Sequence, residues 1–251
     1  MYPVLFSLGI FKIFSYGLFI VFAFMISASY LLRSIKKSKS KIISGSELSS
    51  LVIYILIFGV VGSRILFVFM NLNEFFLHPL DIFKLWHGGL VYYGGFILVI
   101  IFIMIYAKTK KINIFRFADF FAPALALGHA IGRIGCFFAG CCYGKKSNLP
   151  WTVVFNNKDS LAVIGVHLHP TQLYESFGNF LLFIFLHFYS KKEHKIGMLL
   201  AIYFIVYAIL RFIVECFRGD YRGQCYFGLS ISQIISVFLF IVGVFVLCKR
   251  K

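Results

Sequence analysis

The sequence predicts an all-α integral membrane protein of seven transmembrane helices, with the N-terminus outside and the C-terminus in the cytoplasm. Composition is the first reason: 61% of the 251 residues are hydrophobic and 14% are charged, against about 25% charged in a typical soluble domain. The mean hydropathy of +0.91 agrees with this. The second reason is the length of the apolar runs, and the third is the placement of the basic residues between them.

Seven apolar runs are long enough to cross the hydrocarbon core, which takes about 20 helical residues. In chain order they are Ile13–Leu32, Leu51–Met70, Leu90–Ala107, Phe120–Ala139, Thr171–Ser190, Ile196–Phe217 and Phe227–Cys248. We expect a single polytopic membrane domain over residues 1–251, with a small outer subdomain at about 140–170 between the fourth and fifth helices. Within that subdomain, Pro150–Phe155 predicts a short strand.

Glycines predict two backbone features. The pairs Gly88-Gly89 and Gly94-Gly95 predict non-helical or re-entrant backbone around the start of the third run, which membrane proteins tolerate only where protein or water satisfies the backbone. In and after the fourth run, small residues recur about four apart, a spacing that lets helices approach closely in lipid. These residues are Gly128, Gly132, Gly135 and Gly140.

The basic residues predict the orientation of the chain. Of the 25 lysines and arginines, 15 lie in four short clusters, which follow the first, third, fifth and seventh runs. All four clusters therefore lie on one face of the membrane, and the positive-inside rule makes that face cytoplasmic. This placement accounts for the net charge of +16 and excludes a nucleic-acid partner.

Five charged residues interrupt the apolar runs. They are Arg64, Arg133, Glu175, Arg211 and Glu215. Each charge near the bilayer centre costs roughly 2.5–3.5 kcal/mol on insertion scales, so each requires a partner or a ligand. One interpretation is a set of arginine–glutamate pairs that hold the helices together, since residues four apart on one helix can pair.

The second interpretation is a binding site for an anion. Three arginines face two glutamates in these runs, and Arg218 lies one helical turn beyond the second glutamate. By the predicted orientation, Arg133, Arg211, Arg218 and Glu215 fall toward the outer half of the membrane. The guanidinium group presents planar paired donors that match phosphate oxygens. The residues alone therefore indicate a site for an outer-leaflet phospholipid or another anionic substrate.

Several motifs together resemble one enzyme family, the prolipoprotein diacylglyceryl transferases. The resemblance covers nearly the whole chain in order, and no single motif is as specific as the set. The motifs are Tyr16-Gly17, Gly62–Arg64, Trp86–Gly95, Gly128–Gly144, His169–Ser176, Tyr207–Arg218 and Ser232-Gln233.

The resemblance implies a transfer reaction at a membrane. Enzymes of this family move a diacylglyceryl group from phosphatidylglycerol to the thiol of the lipobox cysteine of a prolipoprotein signal peptide, and glycerol phosphate leaves. The implied partners are phosphatidylglycerol, prolipoprotein signal peptides and membrane lipids. The implied location is the bacterial plasma (inner) membrane, with the active site toward the outer leaflet. Neither a cofactor nor a metal is expected.

The matching motifs also imply roles for individual residues. Arg133 and Arg211 are the expected phosphate-binding and catalytic residues, which stabilise charge as the carbon–oxygen bond breaks. Glu215 and Arg218 are expected to orient Arg211 and the lipid headgroup. The other substrate-binding positions carried over from the motifs are Tyr16, Tyr207, Arg64, Gly144 and Glu175.

The proton acceptor is the first departure from the family pattern. Many members have a histidine immediately before the second glycine pair, and this chain has Tyr93 there. A phenol has a pKa near 10 and is a poorer base at neutral pH than an imidazole. Three candidates therefore remain open: Tyr93 itself, His87 six residues earlier, and His129, which lies four residues before Arg133.

The cysteines are the second departure. Where the family usually carries Asn and Glu, this chain has Cys136 and Cys141, and Cys142 follows. The three could bind a metal, although vicinal cysteines lack the spacing of a zinc knuckle. They could also form a disulfide with Cys225, or they could be buried thiols.

Two other functions compete with the transfer reaction. One is a related transferase that uses the same phosphate-binding arginines with another acceptor, and the other is an anion transporter whose selectivity comes from those arginines. The absence of a detectable internal repeat disfavours the transporter. His169 is expected to cap the fifth helix or to orient Glu175.

Overall fold

The computed structural model describes residues 1–8, 11–37, 42–84, 88–220 and 228–249. The elements in chain order are β1 Val4–Leu8, β2 Phe11–Phe14, α1 Ser15–Lys37, α2 Gly45–Met70, α3 Leu72–Leu77, a 3₁₀ helix Pro79–Phe83, α4 Tyr92–Thr109, α5 Ile114–Ala139, β3 Val153–Val154, β4 His167–Leu168, α6 Thr171–Tyr189, α7 Met198–Cys216 and α8 Ile231–Lys249. They form two compact units, Leu32–Phe117 and the combination of Met1–Leu31 with Ala118–Lys251.

The prediction of an all-α membrane protein is confirmed at this level. Within the part of the chain that the structure describes, six helices are long and apolar enough to cross a membrane: α1, α2, α4, α5, α7 and α8. The fifth predicted run forms α6, which has 19 residues. Its hydropathy is lower because one face carries a row of buried polar residues. These are Thr171, Gln172, Glu175, Ser176 and Asn179.

The hydropathy pattern did not predict the two strands at the N-terminus. β1 and β2 form an antiparallel pair in which Val4 lies opposite Phe14. The first predicted run began at Ile13, but helix α1 begins at Ser15, whose backbone N–H donates to the carbonyl of Pro3 at 2.9 Å. The apolar residues of β2 are continuous with those of α1, so hydropathy alone does not separate the strand from the helix.

Helix α2 begins six residues before the predicted start. Ser44 and Glu47 form a capping box: the Ser44 side chain accepts from the Glu47 N–H at 3.1 Å, and the Ser44 N–H donates to the Glu47 carboxylate at 2.9 Å. These bonds satisfy donors that the first turn of a helix leaves unpaired. The Ser-x-x-Glu pattern was the available signal for this start.

The second glycine pair is helical, which corrects the prediction of irregular backbone there. Gly94 and Gly95 lie in the first turn of α4, and they face α2. A Cβ on Gly62 of α2 would lie 2.5 Å from the Gly94 carbonyl oxygen. The pair therefore permits backbone-to-backbone contact between two membrane helices. Gly88 and Gly89 are non-helical as predicted, with φ angles of 81° and 77°.

The small residues of α5 allow a close approach by α1, as their spacing predicted. A Cβ on Gly135 would lie 2.7 Å from the Phe19 Cβ, and one on Gly128 would lie 3.1 Å from the Ser27 hydroxyl. The Ser27 hydroxyl donates to the Ala124 carbonyl at 3.1 Å, which adds a hydrogen bond to this contact.

The segment after α5 contains the predicted strand in shorter form. Only Val153–Val154 of the Pro150–Phe155 run is a strand, and it pairs antiparallel with His167–Leu168. A small cluster of apolar side chains packs beneath this pair, with Phe155, Ala162 and Leu168 at its centre.

We predict that Gly62→Ala lowers the midpoint of thermal unfolding of the purified protein. The added methyl overlaps the α4 backbone, and overpacking of this kind costs about 1–3 kcal/mol. Gly59→Ala is the matched control on the same helix face, since its Cβ would meet only the Val99 side chain at 3.9 Å. Scanning fluorimetry in detergent measures both, and equal midpoints for the two variants would contradict the proposed contact.

Candidate active site

Six charged side chains form one continuous series that we call the arginine–carboxylate chain. Its members alternate in sign, and they come from α5, α6, α7 and the turn that follows α7. In order of contact they are Arg133, Glu175, Arg211, Glu215, Arg218 and Asp220.

Glu175 is the centre of this series. One carboxylate oxygen lies 2.9 Å from Arg133 Nη2, and the other lies 3.2 Å from Arg211 Nη1. The Glu175 side chain is 2% exposed, so its charge requires both partners. A glutamate on α6 thus joins an arginine of α5 to an arginine of α7, and the two predicted catalytic arginines lie together.

Glu215 continues the series along α7. Its carboxylate lies 2.8 Å from Arg211 Nη2, which confirms that residues four apart pair here, and 3.7 Å from Arg218 Nε. The hydroxyl of Ser230 donates to the other Glu215 oxygen at 2.9 Å. Ser232, at the start of α8, accepts from Arg211 at 3.0 Å. Glu215 thus contacts both Arg211 and Arg218, and the orienting role expected for it stays a prediction.

The sequence did not point to Asp220 as a site residue, and its carboxylate changes the balance of positive and negative charges in the arginine–carboxylate chain. Arg218 makes a two-pronged contact with Asp220, at 2.9 Å from Nε and 2.7 Å from Nη2. The arginine–carboxylate chain therefore contains three cations and three anions, and the expected excess of arginine is not present in it. The Arg-Gly-Asp spacing after α7 was the only available signal, because side chains two residues apart on irregular backbone can lie on the same side and pair.

Two arginines of the chain retain donors for a ligand. The Arg133 side chain is 21% exposed. The Nη1 of Arg218 is buried and has no hydrogen-bond partner among the described residues. Guanidinium donors held in place by carboxylates are suited to bind phosphate oxygens, because their orientation is set before the ligand arrives.

Gly144 joins three segments beneath these arginines. Its N–H donates to the His169 carbonyl at 3.0 Å, and it forms an isolated bridge with Arg218. A Cβ at this position would lie 2.6 Å from the His169 carbonyl oxygen and 2.9 Å from that of Phe217. Only glycine fits without a backbone shift, so Gly144 sets the position of Arg218.

His169 neither caps α6 nor contacts Glu175, the two roles expected for it, in the part of the chain that the structure describes; it contacts Tyr174 instead. Pro170 is the N-cap residue of α6, with no side-chain cap, and His169 Nδ1 lies 3.1 Å from the Tyr174 hydroxyl. Its ring also packs against Phe217 at 5.4 Å between centroids. His169 therefore supports the junction of α6 and α7.

Three aromatic rings pack one helical turn from Arg133. The Tyr203 hydroxyl lies 3.0 Å from His129 Nδ1, and the Tyr207 ring lies 5.2 Å from the His129 ring. Tyr203 and Tyr207 are stacked at 5.7 Å. Tyr207 lies on α7, the helix that also carries Arg211. Tyr16 lies on α1, at the point where α1 contacts Gly135 of α5.

The three cysteines form a compact cluster at the end of α5. The sulfur atoms of Cys136, Cys141 and Cys142 all lie within 4.8 Å of one another, and Cys142 Sγ lies 3.7 Å from Arg133 Nη1. Hydrogen bonds from the Cys136 and Cys141 thiols lower the pKa of Cys142, and the Arg218 and Arg133 charges lower it further. Hydrogen bonding to the other two sulfurs raises the pKa of Cys141. Cys225 lies outside the described residues.

Arg64 and Tyr93 belong to the other compact unit. Arg64 Nε donates to the Ile82 carbonyl at 2.9 Å, and Nη1 donates to the Gly88 carbonyl at 2.7 Å. These bonds hold the segment between α3 and α4, and a substrate contact for Arg64 stays a prediction. Tyr93 lies in the first turn of α4 and is exposed. His87 lies outside the described residues.

Comparison with known proteins agrees with the motifs. The family model described as prolipoprotein diacylglyceryl transferase matches residues 3–249. The chain belongs to this family. A phosphatidylglycerol–prolipoprotein diacylglyceryl transferase of Clostridium tetani is 40% identical over 246 residues, which cover 98% of this chain and 96% of that protein.

Other members of the prolipoprotein diacylglyceryl transferase family match over similar lengths. Phosphatidylglycerol–prolipoprotein diacylglyceryl transferase 2 of Clostridium perfringens is 36% identical over 233 residues, covering 93% of this chain and 89% of that protein. The enzyme of that name from Bordetella avium is 34% identical over 257 residues, covering 99% and 95%.

We predict that Glu175→Gln destabilises this family member strongly. The change leaves Arg133 without its carboxylate and removes one of two from Arg211, and breaking a buried pair in this way costs about 3–5 kcal/mol. Glu47→Gln is the matched control, because Glu47 pairs with Lys110 where solvent screens the charges. Thermal unfolding in detergent should show a large loss for Glu175→Gln alone, and equal losses would contradict the assigned role.

Proposed function

We propose that this protein transfers a diacylglyceryl group from phosphatidylglycerol to the lipobox cysteine thiol of prolipoproteins, the first step of lipoprotein maturation. The observation that carries the proposal is the arginine–carboxylate chain, in which Arg133 and Arg218 retain donors for a phosphate. The names of relatives at 34–40% identity give phosphatidylglycerol and prolipoprotein as their substrates.

The location that we propose is the bacterial plasma membrane, with seven spans and the active site toward the outer leaflet. The six apolar helices support a multi-pass protein, and α6 is the proposed seventh span, since it is 19 residues long with its polar face buried. The basic clusters support the orientation with the N-terminus outside. The arginine–carboxylate chain then lies toward the outer half.

In the proposed reaction, the phosphate of phosphatidylglycerol binds to the retained guanidinium donors of Arg133 and Arg218, and it competes with the carboxylates for those of Arg211. The thiolate of the acceptor cysteine attacks the carbon of the diacylglyceryl group that is bonded to the phosphate oxygen. A carbon–sulfur bond forms, and the electron pair of the breaking carbon–oxygen bond leaves with glycerol phosphate. The negative charge that develops on that oxygen is stabilised by arginines already oriented by Glu175 and Glu215.

The remaining predicted residues support this site in distinct ways. Tyr16 and Tyr207 are proposed to line the space for the substrate. Gly144 holds the backbone that carries Arg218, and Arg64 is proposed to act through the segment that it holds. The proton of the acceptor thiol, whose usual pKa is about 8.5, passes to Tyr93 or His87 in this proposal.

We expect Arg133→Lys and Arg211→Lys each to lower the transfer rate by about 10²–10³-fold, the usual cost of losing one donor to developing charge. Lysine keeps the charge but lacks the planar paired donors. Phosphatidylglycerol and a lipobox peptide are incubated with purified protein, and the mass of the peptide is measured. Arg33→Lys on the exposed end of α1 is the control, and retained activity in both site variants would refute the assigned roles.

His87→Ala and Tyr93→Phe separate two of the three candidate proton acceptors; the third is His129, whose Nδ1 lies 3.0 Å from the Tyr203 hydroxyl. Since general-base catalysis contributes about 10²–10⁴-fold, we expect the rate to fall by at least about 100-fold in one variant and to change little in the other. Measuring the rate against pH gives a second test, because the limb that reports the acceptor disappears only in the deficient variant. Full activity in both variants would exclude Tyr93 and His87 as proton acceptors.

A further inference from the structure

The cysteine cluster is outside the residues used by the transfer reaction, and its geometry suits a metal ion. Cys136 lies in the last turn of α5, and Cys141 and Cys142 lie in the segment that follows. We propose that the sulfur atoms of these three residues bind one soft metal ion of the Zn²⁺ or Cu⁺ class. Thiolates are the ligands that such ions prefer.

The separations of the sulfur atoms fit this proposal. A zinc–sulfur bond of about 2.3 Å places two sulfurs bound to one ion about 3.8–4.0 Å apart in tetrahedral or trigonal geometry. The three sulfurs already lie within 4.8 Å of one another. To reach that separation, each sulfur moves by less than about 1 Å, a distance that side-chain rotation can supply.

The backbone around the cysteines is held in place by α6. The Gln172 side chain donates to the Cys141 carbonyl at 2.7 Å, and the Thr171 hydroxyl donates to the Cys142 carbonyl at 2.7 Å. Cys142 has a φ of 60°, a left-handed conformation that is unfavourable for a non-glycine residue. These contacts maintain that strained backbone, which keeps two neighbouring cysteines next to Cys136.

The number of sulfurs favours a metal over a disulfide. A disulfide uses two sulfurs and leaves the third, whereas a three-coordinate or four-coordinate ion uses all three. Burial also fits, since Cys136 is buried and the other two are partly accessible, so an ion has a route into the site. A divalent ion binds three thiolates, any ligand that is still a thiol releases its proton to water, and the product carries one negative charge, which faces Arg133 at the Cys142 sulfur.

The test uses the full-length protein in detergent, reduced with a phosphine and freed of metal by a chelator. Titration with Cd²⁺ should give a saturable thiolate-to-metal charge-transfer absorption at one equivalent per chain. Cys136→Ser, Cys141→Ser and Cys142→Ser should each weaken binding by at least about 100-fold, since loss of an outer-shell contact alone costs 10–100-fold. Cys216→Ser and Cys248→Ser are matched controls that should leave binding unchanged.

A second measurement uses the unmodified chain and so does not depend on how the variants fold. Zn²⁺ should protect Cys136, Cys141 and Cys142 from alkylation, as read by peptide mass spectrometry, and should leave Cys216 and Cys248 reactive. The proposal would be overturned if no saturable absorption appeared, or if Zn²⁺ left Cys136, Cys141 and Cys142 as reactive toward alkylation as before. A mass loss of two hydrogens linking two cluster cysteines, with no metal binding, would also overturn it in favour of a disulfide. None of these readouts depends on the transfer reaction.

Discussion

The buried carboxylate of Glu175 is the constraint on which the rest of the active-site unit depends. A glutamate that is almost completely withdrawn from solvent is tolerated only if it is paired on both oxygens, and its partners come from two other helices. That requirement brings α5, α6 and α7 together at one level. The arginines proposed to bind the phosphate are therefore positioned by the same ion pairs that hold the helices.

The carboxylates also prepare the site for its ligand. Arginine side chains are flexible, and ordering them costs entropy when a substrate binds. Here Glu175, Glu215 and Asp220 hold the guanidinium groups before any ligand arrives. A net charge near zero in the empty site lowers the cost of burying it. In the proposed reaction, the arriving phosphate competes for donors that are already oriented, so its binding depends on geometry more than on excess charge.

Close backbone approach is the second principle of this fold. Lipid tails are as apolar as leucine side chains, so helices in a membrane gain stability from close packing more than from burial of apolar surface. Gly62 and Gly94 provide such an approach in one unit, and Gly135 provides it in the other. Gly144 applies the same principle to irregular backbone, where it lets three segments meet beneath Arg218. The cluster of cysteines lies between Gly135 and Gly144, on backbone that these contacts already hold.

The sequence by itself determined the membrane class, most of the helices and the family, because hydropathy and local motifs are properties of contiguous residues. It also indicated that Arg133, Glu175, Arg211 and Glu215 each need a partner or a ligand, since a charge in an apolar helix is costly. Only the tertiary structure decided that Asp220 balances Arg218 and that three cysteines converge beside Arg133. It also decided that Gly94 and Gly95 are helical and that the N-terminus forms a strand pair. Those outcomes depend on contacts between residues distant in sequence or on backbone direction at a turn, and neither is encoded in local hydropathy.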